Sequence, residues 1–118
     1  MRERRPKLLF DALGAIDAAS GFLGGVDLAE YQASLLLRSA VERQLEILGE
    51  ACSRLAKEDP SLPIRVPACR LATGLRNRVI HGYDAIDDET LFRTVLNDLP
   101  ALRTALANEL TRIESGQP

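Results

Sequence analysis

The chain is poor in aromatic residues and has no long apolar run. Only 4% of its 118 residues are aromatic, and none is tryptophan. The core must therefore be built from Leu, Ile, Val and Ala, a composition that suits the packing of helix against helix. No run of 18 apolar residues occurs, and no apolar segment of signal-peptide length follows the charged N-terminus. We therefore expect a cytoplasmic protein that is neither exported nor inserted into a membrane.

Metal-ligating side chains are equally scarce. The chain has one histidine and two cysteines, Cys52 and Cys69, without a CxxC spacing. This set cannot supply a closed zinc site within one protomer, and we expect no metal and no other cofactor. Both cysteines stand among apolar neighbours, which predicts buried free thiols and a reducing compartment.

An excess of basic charge is also lacking. Fifteen basic and 17 acidic residues give a net charge of −2, which excludes a strongly basic nucleic-acid binder. The cations are nevertheless clustered, so a local phosphate site is compatible with the acidic total. One cluster lies in the N-terminal arm, residues 1–6 and Lys7, which we interpret as a disordered tail rather than an RNA contact. The other cluster consists of Arg65, Arg70, Arg76 and Arg78.

Helical periodicity runs through the whole chain, and no strand pattern or internal repeat appears. Asp27-Leu28-Ala29-Glu30 resembles a capping box, and Asp87 or Asp88 is expected to cap the last helix, which Pro100 should bend or divide. Residues 59–63 are predicted to form a loop and residues 115–118 a frayed tail. The sequence thus predicts one all-α domain over residues 1–118. Its helical stretches are 7–19, 27–57 with a break near Gln32, 67–81, and two pieces after residue 87.

The longest helix has two apolar strips. The first is a coiled-coil-like seam of Val41, Leu45, Leu48, Cys52 and Leu55. The second, adjacent strip consists of Leu36, Ala40, Ile47 and Ala51, with Gln44 as a polar residue that could hydrogen-bond at an interface. The two strips indicate either a central helix or a helix that also meets a second subunit. Charged residues spaced by four are interpreted as a solvated ion-pair face: Arg38, Glu42, Glu46, Glu50 and Arg54.

The only histidine stands in the segment Arg76-Asn77-Arg78-Val79-Ile80-His81-Gly82-Tyr83, near a predicted helix end. Gly82 is placed to act as the C-cap glycine. A polar stripe combines Arg70, Gly74, Asn77 and His81, whereas Leu71, Leu75 and Val79 are predicted to face the core. Arg76 lies about 140° from His81 on an ideal helix. The two side chains would converge only if the helix unwinds or if a second copy supplies one of them.

These residue types suit RNA cleavage without a metal ion. A base must take the 2′-hydroxyl proton and an acid must protonate the leaving 5′-oxygen, and histidine suits both roles. With one histidine per chain, a composite site between two chains is predicted, with Arg76 stabilising the phosphorus charge and Asn77 supporting. Tyr83 could stack on a base. Three other interpretations stay open: that His81 only complements a helix dipole, that Arg76 and Arg78 pair with acidic residues of 84–89, and that Tyr83 is a core residue.

Arg76-Asn77-x-x-x-His81-Gly82-Tyr83 resembles the signature of the HEPN superfamily, and further segments resemble its HepT-like branch. These segments are residues 41–51, Gly74-Leu75 and residues 98–102. The resemblance implies an up-and-down bundle of four to five helices and a homodimer with the motif in the interfacial cleft. One departure from the pattern is that Ile64-Arg65-Val66-Pro67 lacks the aromatic residue, often Trp, that precedes the third helix in relatives.

The same resemblance implies a metal-independent ribonuclease toxin with Arg76 and His81 catalytic and Asn77 supporting. Its implied partners are RNA and a minimal nucleotidyltransferase antitoxin, which can transfer AMP to Tyr83. An alternative from another class is a non-catalytic helical partner that binds nucleotide or docks substrate for such a nucleotidyltransferase. The Arg76–His81 pair favours the enzyme, because a docking module has no need of it.

Overall fold

A computed structural model describes residues 3–81 and 87–116, with side chains described for 3–77 and 87–116. Within these ranges the chain forms seven α-helices and no strand, which confirms the all-α helical bundle. None of these helices combines the length and apolarity needed to cross a membrane. The helices are α1 (Arg5–Phe22), α2 (Leu28–Ala33), α3 (Leu35–Glu58), α4 (Leu62–Arg65), α5 (Ala68–His81), α6 (Asp88–Asn97) and α7 (Leu99–Glu114).

The helix α3 is central, with α1 and α5 packed along it, while α7 packs on α1 and α6 on α2 and α7. All five residues of the predicted seam on α3 are buried: Val41, Leu45, Leu48, Cys52 and Leu55. The second strip is covered only in part, since Ala51 is buried but Leu36 is 81% exposed. The helix α3 is therefore central, the first of the two predicted alternatives, and part of its second strip is open in the single chain. Whether a second subunit covers this strip stays a prediction.

Local capping sets the helix boundaries in the first half of the chain. Gly25 has a φ of +75°, a conformation that ends the turn after α1 and that L side chains rarely adopt. Asp27 accepts a hydrogen bond from the Glu30 N–H, and the Glu30 side chain accepts one from the Asp27 N–H. This confirms the predicted capping box. The predicted break near Gln32 lies at Ser34, whose hydroxyl accepts a hydrogen bond from the Leu37 N–H and begins α3.

The last two helices also follow the prediction. The Asp87 carboxylate accepts a hydrogen bond from the Glu89 N–H at the start of α6. Helix α6 ends at Asn97 and α7 begins at Leu99, so Pro100 lies in the first turn of α7. Proline is tolerated there because the first N–H groups of a helix have no intrahelical acceptor.

Three predictions were wrong in detail. The N-terminal arm was predicted to extend to residue 6, whereas α1 begins at Arg5 because Pro6 fits the first turn of a helix. The predicted loop 59–63 ends in the short helix α4, because Pro63 occupies its first turn, where proline fits. Leu71 is 47% exposed rather than in the core. The buried side of α5 consists of Cys69, Ala72 and Leu75, and Leu71 lies at its edge. The Val79 side chain lies outside the described residues.

Candidate functional site

The site is built around a close approach of α5 to α3 at Gly49. A Cβ atom on Gly49 would lie 2.1 Å from the Arg76 Cβ and 2.7 Å from the Ala72 carbonyl oxygen. Real Cβ atoms do not come so close to other atoms, so this crossing requires glycine. The crossing brings the backbone of Arg76 directly against α3.

Arg76 reaches across α3 to an acidic partner. Its Nη2 lies 2.8 Å from Oε2 of Glu50, and its Nη1 donates to Oδ1 of Asn77 at 3.1 Å. The side chain is 30% exposed, and its buried Nε has no hydrogen-bond partner among the described residues. Among the described residues Arg76 forms its ion pair with Glu50 and not with Asp87, Asp88 or Glu89. Asp84, the fourth acidic residue of the predicted alternative, lies outside the described residues. The Arg78 side chain lies outside the described residues.

Glu50 is shared between two guanidinium groups. The Arg54 Nε donates to Oε1 of Glu50 at 2.8 Å, one helical turn further along α3. This hydrogen bond and the charges of Arg76, Arg54 and Lys57 lower the pKa of Glu50. Glu50 and Arg54 form part of an ion-pair face, as predicted, but the contact of Glu50 with Arg76 was not predicted from the sequence. The glycine immediately before Glu50 was the available signal, since glycine inside a helix often marks a close packing contact.

A cavity of about 450 Å³ lies beside the ion pair of Arg76 with Glu50. It is lined by residues of α1 and α3 and by Arg76. Ile47, from the second apolar strip, lines it together with charged side chains of both signs. The cations and anions balance, so any affinity for phosphate must come from their arrangement and not from net charge. The lining residues are Leu8, Asp11, Arg43, Glu46, Ile47, Glu50, Ala51, Arg54 and Arg76.

The rest of the predicted site lies along α5, whose described residues extend to His81. Asn77 and Arg70 are exposed and Gly74 is half-buried, so the first three residues of the polar stripe are accessible. The His81 side chain, Gly82 and Tyr83 lie outside the described residues. The structure thus brings Arg76 and Asn77 together with Glu50. The predicted roles of His81 and Tyr83 in the same site stay predictions.

Cys52 and Cys69 are both buried free thiols, as predicted. They line a second cavity of about 410 Å³, together with Lys57 and Arg70. A hydrogen bond with the Cys69 thiol, and then burial, raise the pKa of Cys52, which keeps that thiol protonated. Within the described ranges no group of three or more His, Cys, Asp or Glu side chains is arranged to hold a metal ion.

Comparison with known proteins identifies similar sequences over most of the chain. Residues 12–108 match the family described as "Ribonuclease HepT-like". "Putative RNase MJ1380" of Methanocaldococcus jannaschii is 34% identical, with 80% of this chain and 86% of that protein aligned. "Probable ribonuclease HepT" of Thermococcus cleftensis is 28% identical over 87% of this chain and 93% of that protein. No solved structure matches significantly. The family match includes all of α3 and α5, which carry Glu50 and Arg76.

Proposed function

Because this chain belongs to the HepT-like ribonuclease family, we propose that it is a metal-independent RNA endonuclease and the toxin of a toxin–antitoxin pair. The observation that carries the proposal is the place of Arg76. Its guanidinium stands at the edge of a cavity, on the helix whose last residue is His81. A cation beside an open cavity is suited to bind the phosphate at which an RNA chain is cut.

The proposed reaction uses only groups of the protein and the RNA. A His81 imidazole takes the proton of the 2′-hydroxyl, and the 2′-oxygen forms a bond to phosphorus. The bond from phosphorus to the 5′-oxygen breaks, and a second, protonated imidazole gives its proton to that oxygen. Arg76 stabilises the negative charge that develops on the phosphoryl oxygens, and Asn77 supports Arg76 through its amide oxygen. The products are a 2′,3′-cyclic phosphate and a 5′-hydroxyl.

We propose that the second imidazole comes from a second copy of the chain. Support for a homodimer comes from the strip on α3, because Leu36 is exposed and Ala40 and Ile47 are only half-buried. Ile47 also lines the cavity beside Arg76. A partner subunit that covers this strip would therefore border the cavity and could complete the site.

The proposed control of the toxin acts through Tyr83. A minimal nucleotidyltransferase antitoxin would transfer AMP from ATP to the Tyr83 hydroxyl, with release of pyrophosphate. The attached phosphate would pair with the Arg76 guanidinium and occupy the place of the RNA phosphate. Incubation with the candidate nucleotidyltransferase and ATP should add one AMP to the wild type and none to Tyr83→Phe. A modified protein that still cleaves RNA at the full rate would contradict this control.

The catalytic proposal is tested by RNA cleavage in the presence of EDTA. We expect the wild type to cleave, and His81→Ala and Arg76→Ala each to lose at least about a hundredfold in rate. Arg93→Ala is the matched control, because Arg93 lies on α6 and pairs with Glu89 away from the cavity. Circular dichroism should show the same helical content in all four proteins.

Each component of the proposal has its own contrary result. Equal cleavage by the wild type and His81→Ala would contradict the role of His81. Cleavage that disappears with EDTA would contradict independence from metal ions. A wild type that binds its nucleotidyltransferase but never cleaves RNA would favour the non-catalytic partner instead.

A further inference from the structure

We propose that Glu50 is a positioning residue for Arg76, a role that rests on the proposed ribonuclease function. The Glu50 carboxylate holds one terminal nitrogen of the guanidinium at 2.8 Å, while the Asn77 amide holds the other at 3.1 Å. Two fixed contacts on a planar group define both its position and its plane. The side chain of Glu50 therefore sets the direction in which Arg76 presents its free N–H groups.

An arginine at this place needs such a partner because its side chain is long and flexible. Immobilising an arginine side chain costs rotamer entropy, because the chain has many rotatable bonds. A guanidinium that is already fixed does not bear this cost when the transition state forms, and small displacements of a catalytic group lower rates steeply. Gly49 fixes the backbone end of Arg76, and Glu50, the next residue on α3, fixes the charged end.

The Glu50 carboxylate is itself held in place. Arg54 donates to the Glu50 oxygen that Arg76 does not use, so the carboxylate lies between two guanidinium groups. These two cations keep Glu50 ionised, because they lower its pKa. Arg54 thus holds Glu50 in place, and Glu50 in turn holds Arg76. Arg54 and Glu50 both lie on α3.

Glu50 does not prevent Arg76 from binding a phosphate. Each terminal nitrogen of a guanidinium carries two N–H groups. Asn77 accepts one of these N–H groups from Nη1, whereas the contact of Nη2 with Glu50 is an ion pair, so N–H groups of both nitrogens remain for phosphoryl oxygens. A phosphate can thus bind the guanidinium while both positioning contacts stay in place.

Glu50→Gln tests this role, with Glu42→Gln as the matched control. Glu42 lies on the same helix and loses the same charge, but it neither contacts Arg76 nor lines the cavity. We expect kcat for RNA cleavage to fall about tenfold or more in Glu50→Gln, with KM changed less than about threefold. Glu42→Gln should stay within about twofold of the wild type in both constants.

A second measurement tests the contact between Glu50 and Arg76 independently of RNA cleavage. NMR of the Arg76 guanidinium, assigned by its loss in Arg76→Lys, should show slow rotation in the wild type and Glu42→Gln and fast rotation in Glu50→Gln. Equal guanidinium dynamics in all three, or a kcat of Glu50→Gln equal to or above that of the wild type, would overturn the role of Glu50. A wild type without cleavage would contradict the proposed function alone, since the guanidinium rotation still tests the positioning contact.

Discussion

Gly49 is the residue on which the approach of α5 to α3 depends, and its substitution gives a clear prediction. In Gly49→Ala the new Cβ would lie 2.1 Å from the Arg76 Cβ, so the two helices must move apart. We expect the free energy of unfolding to fall by about 1–3 kcal/mol, as in other overpacked cores. Urea denaturation at a fixed protein concentration measures this change.

Gly14→Ala is the control for this prediction, because Gly14 lies within α1 and a Cβ there would meet no atom within 4 Å. Alanine has the higher helix propensity, so this change should stabilise the protein by about 0.5–1 kcal/mol. If Gly49→Ala lowers the free energy of unfolding and Gly14→Ala raises it, then the tight helix crossing, and not the flexibility of glycine, explains why position 49 needs glycine. A Gly49→Ala protein as stable as the wild type would contradict the close approach.

Asp59 makes stability depend on pH in acid. Its carboxylate accepts hydrogen bonds from Arg65 at 2.7 Å and from the Ser61 N–H at 3.1 Å. The hydrogen bond from Arg65 is the main cause that lowers the pKa of Asp59. A carboxyl group with a lowered folded-state pKa stabilises the fold above its unfolded pKa, near 4, and loses this contribution as the pH falls below that value.

The corresponding variant is Asp59→Asn. It should be less stable than the wild type at pH 6, and the difference should shrink as the pH falls below about 4, because the unfolded wild type then takes up a proton that the folded carboxylate resists. Urea denaturation of both proteins over this range provides the measurement. A difference that stays constant with pH would mean that the charge of Asp59 contributes nothing.

At the scale of whole helices, short capping residues decide where each element begins. Ser34 caps two helices. It is the C-cap residue of α2, and its hydroxyl is the N-cap acceptor of α3. Ser34→Ala removes the acceptor for the Leu37 N–H and should cost about 1 kcal/mol in the free energy of unfolding. Ser20→Ala is the control, because Ser20 is exposed inside α1 and caps no helix. Equal stabilities for the two variants would contradict the capping role.

At the scale of the whole molecule, the exposed strip on α3 predicts the assembly. In Leu36→Arg, a charge would be buried without a partner wherever a second subunit covers this strip, at a cost of several kcal/mol. We expect the dissociation constant of the proposed homodimer to rise at least about a hundredfold, with RNA cleavage lost as the dimer dissociates. Sedimentation at several concentrations, together with the cleavage assay, measures both effects.

Ile64→Arg is the control for the dimer, because Ile64 is equally apolar and 74% exposed but lies on α4, away from the strip. It should leave the dimer and its activity unchanged. A wild type that sediments as a monomer at tens of micromolar would remove the basis for a composite site. If Leu36→Arg forms a dimer as stable as that of the wild type, the interface must lie on another surface.

The amino-acid sequence by itself determined every helix except α4, the caps at Asp27 and Asp87, and the core seam of α3. These features depend on interactions between residues at most about four positions apart, and such interactions can be found from spacing alone. The Asp27–Glu30 capping box and the division at Pro100 are examples. The family resemblance and the single histidine predicted Arg76 and His81 as site residues. Neither of them predicted which residue Arg76 contacts.

Contacts between distant parts of the chain were decided only by the tertiary structure. Tyr31 is fully buried against Phe92, with ring centroids 5.6 Å apart, although nothing in its local sequence indicates this. Arg65 forms two hydrogen bonds with Glu109, 44 residues further along the chain. The ion pair of Glu50 with Arg76 belongs to the same class. Such pairs depend on how the helices cross and rotate about their axes, and this geometry is fixed by the packing of the whole bundle rather than by local spacing.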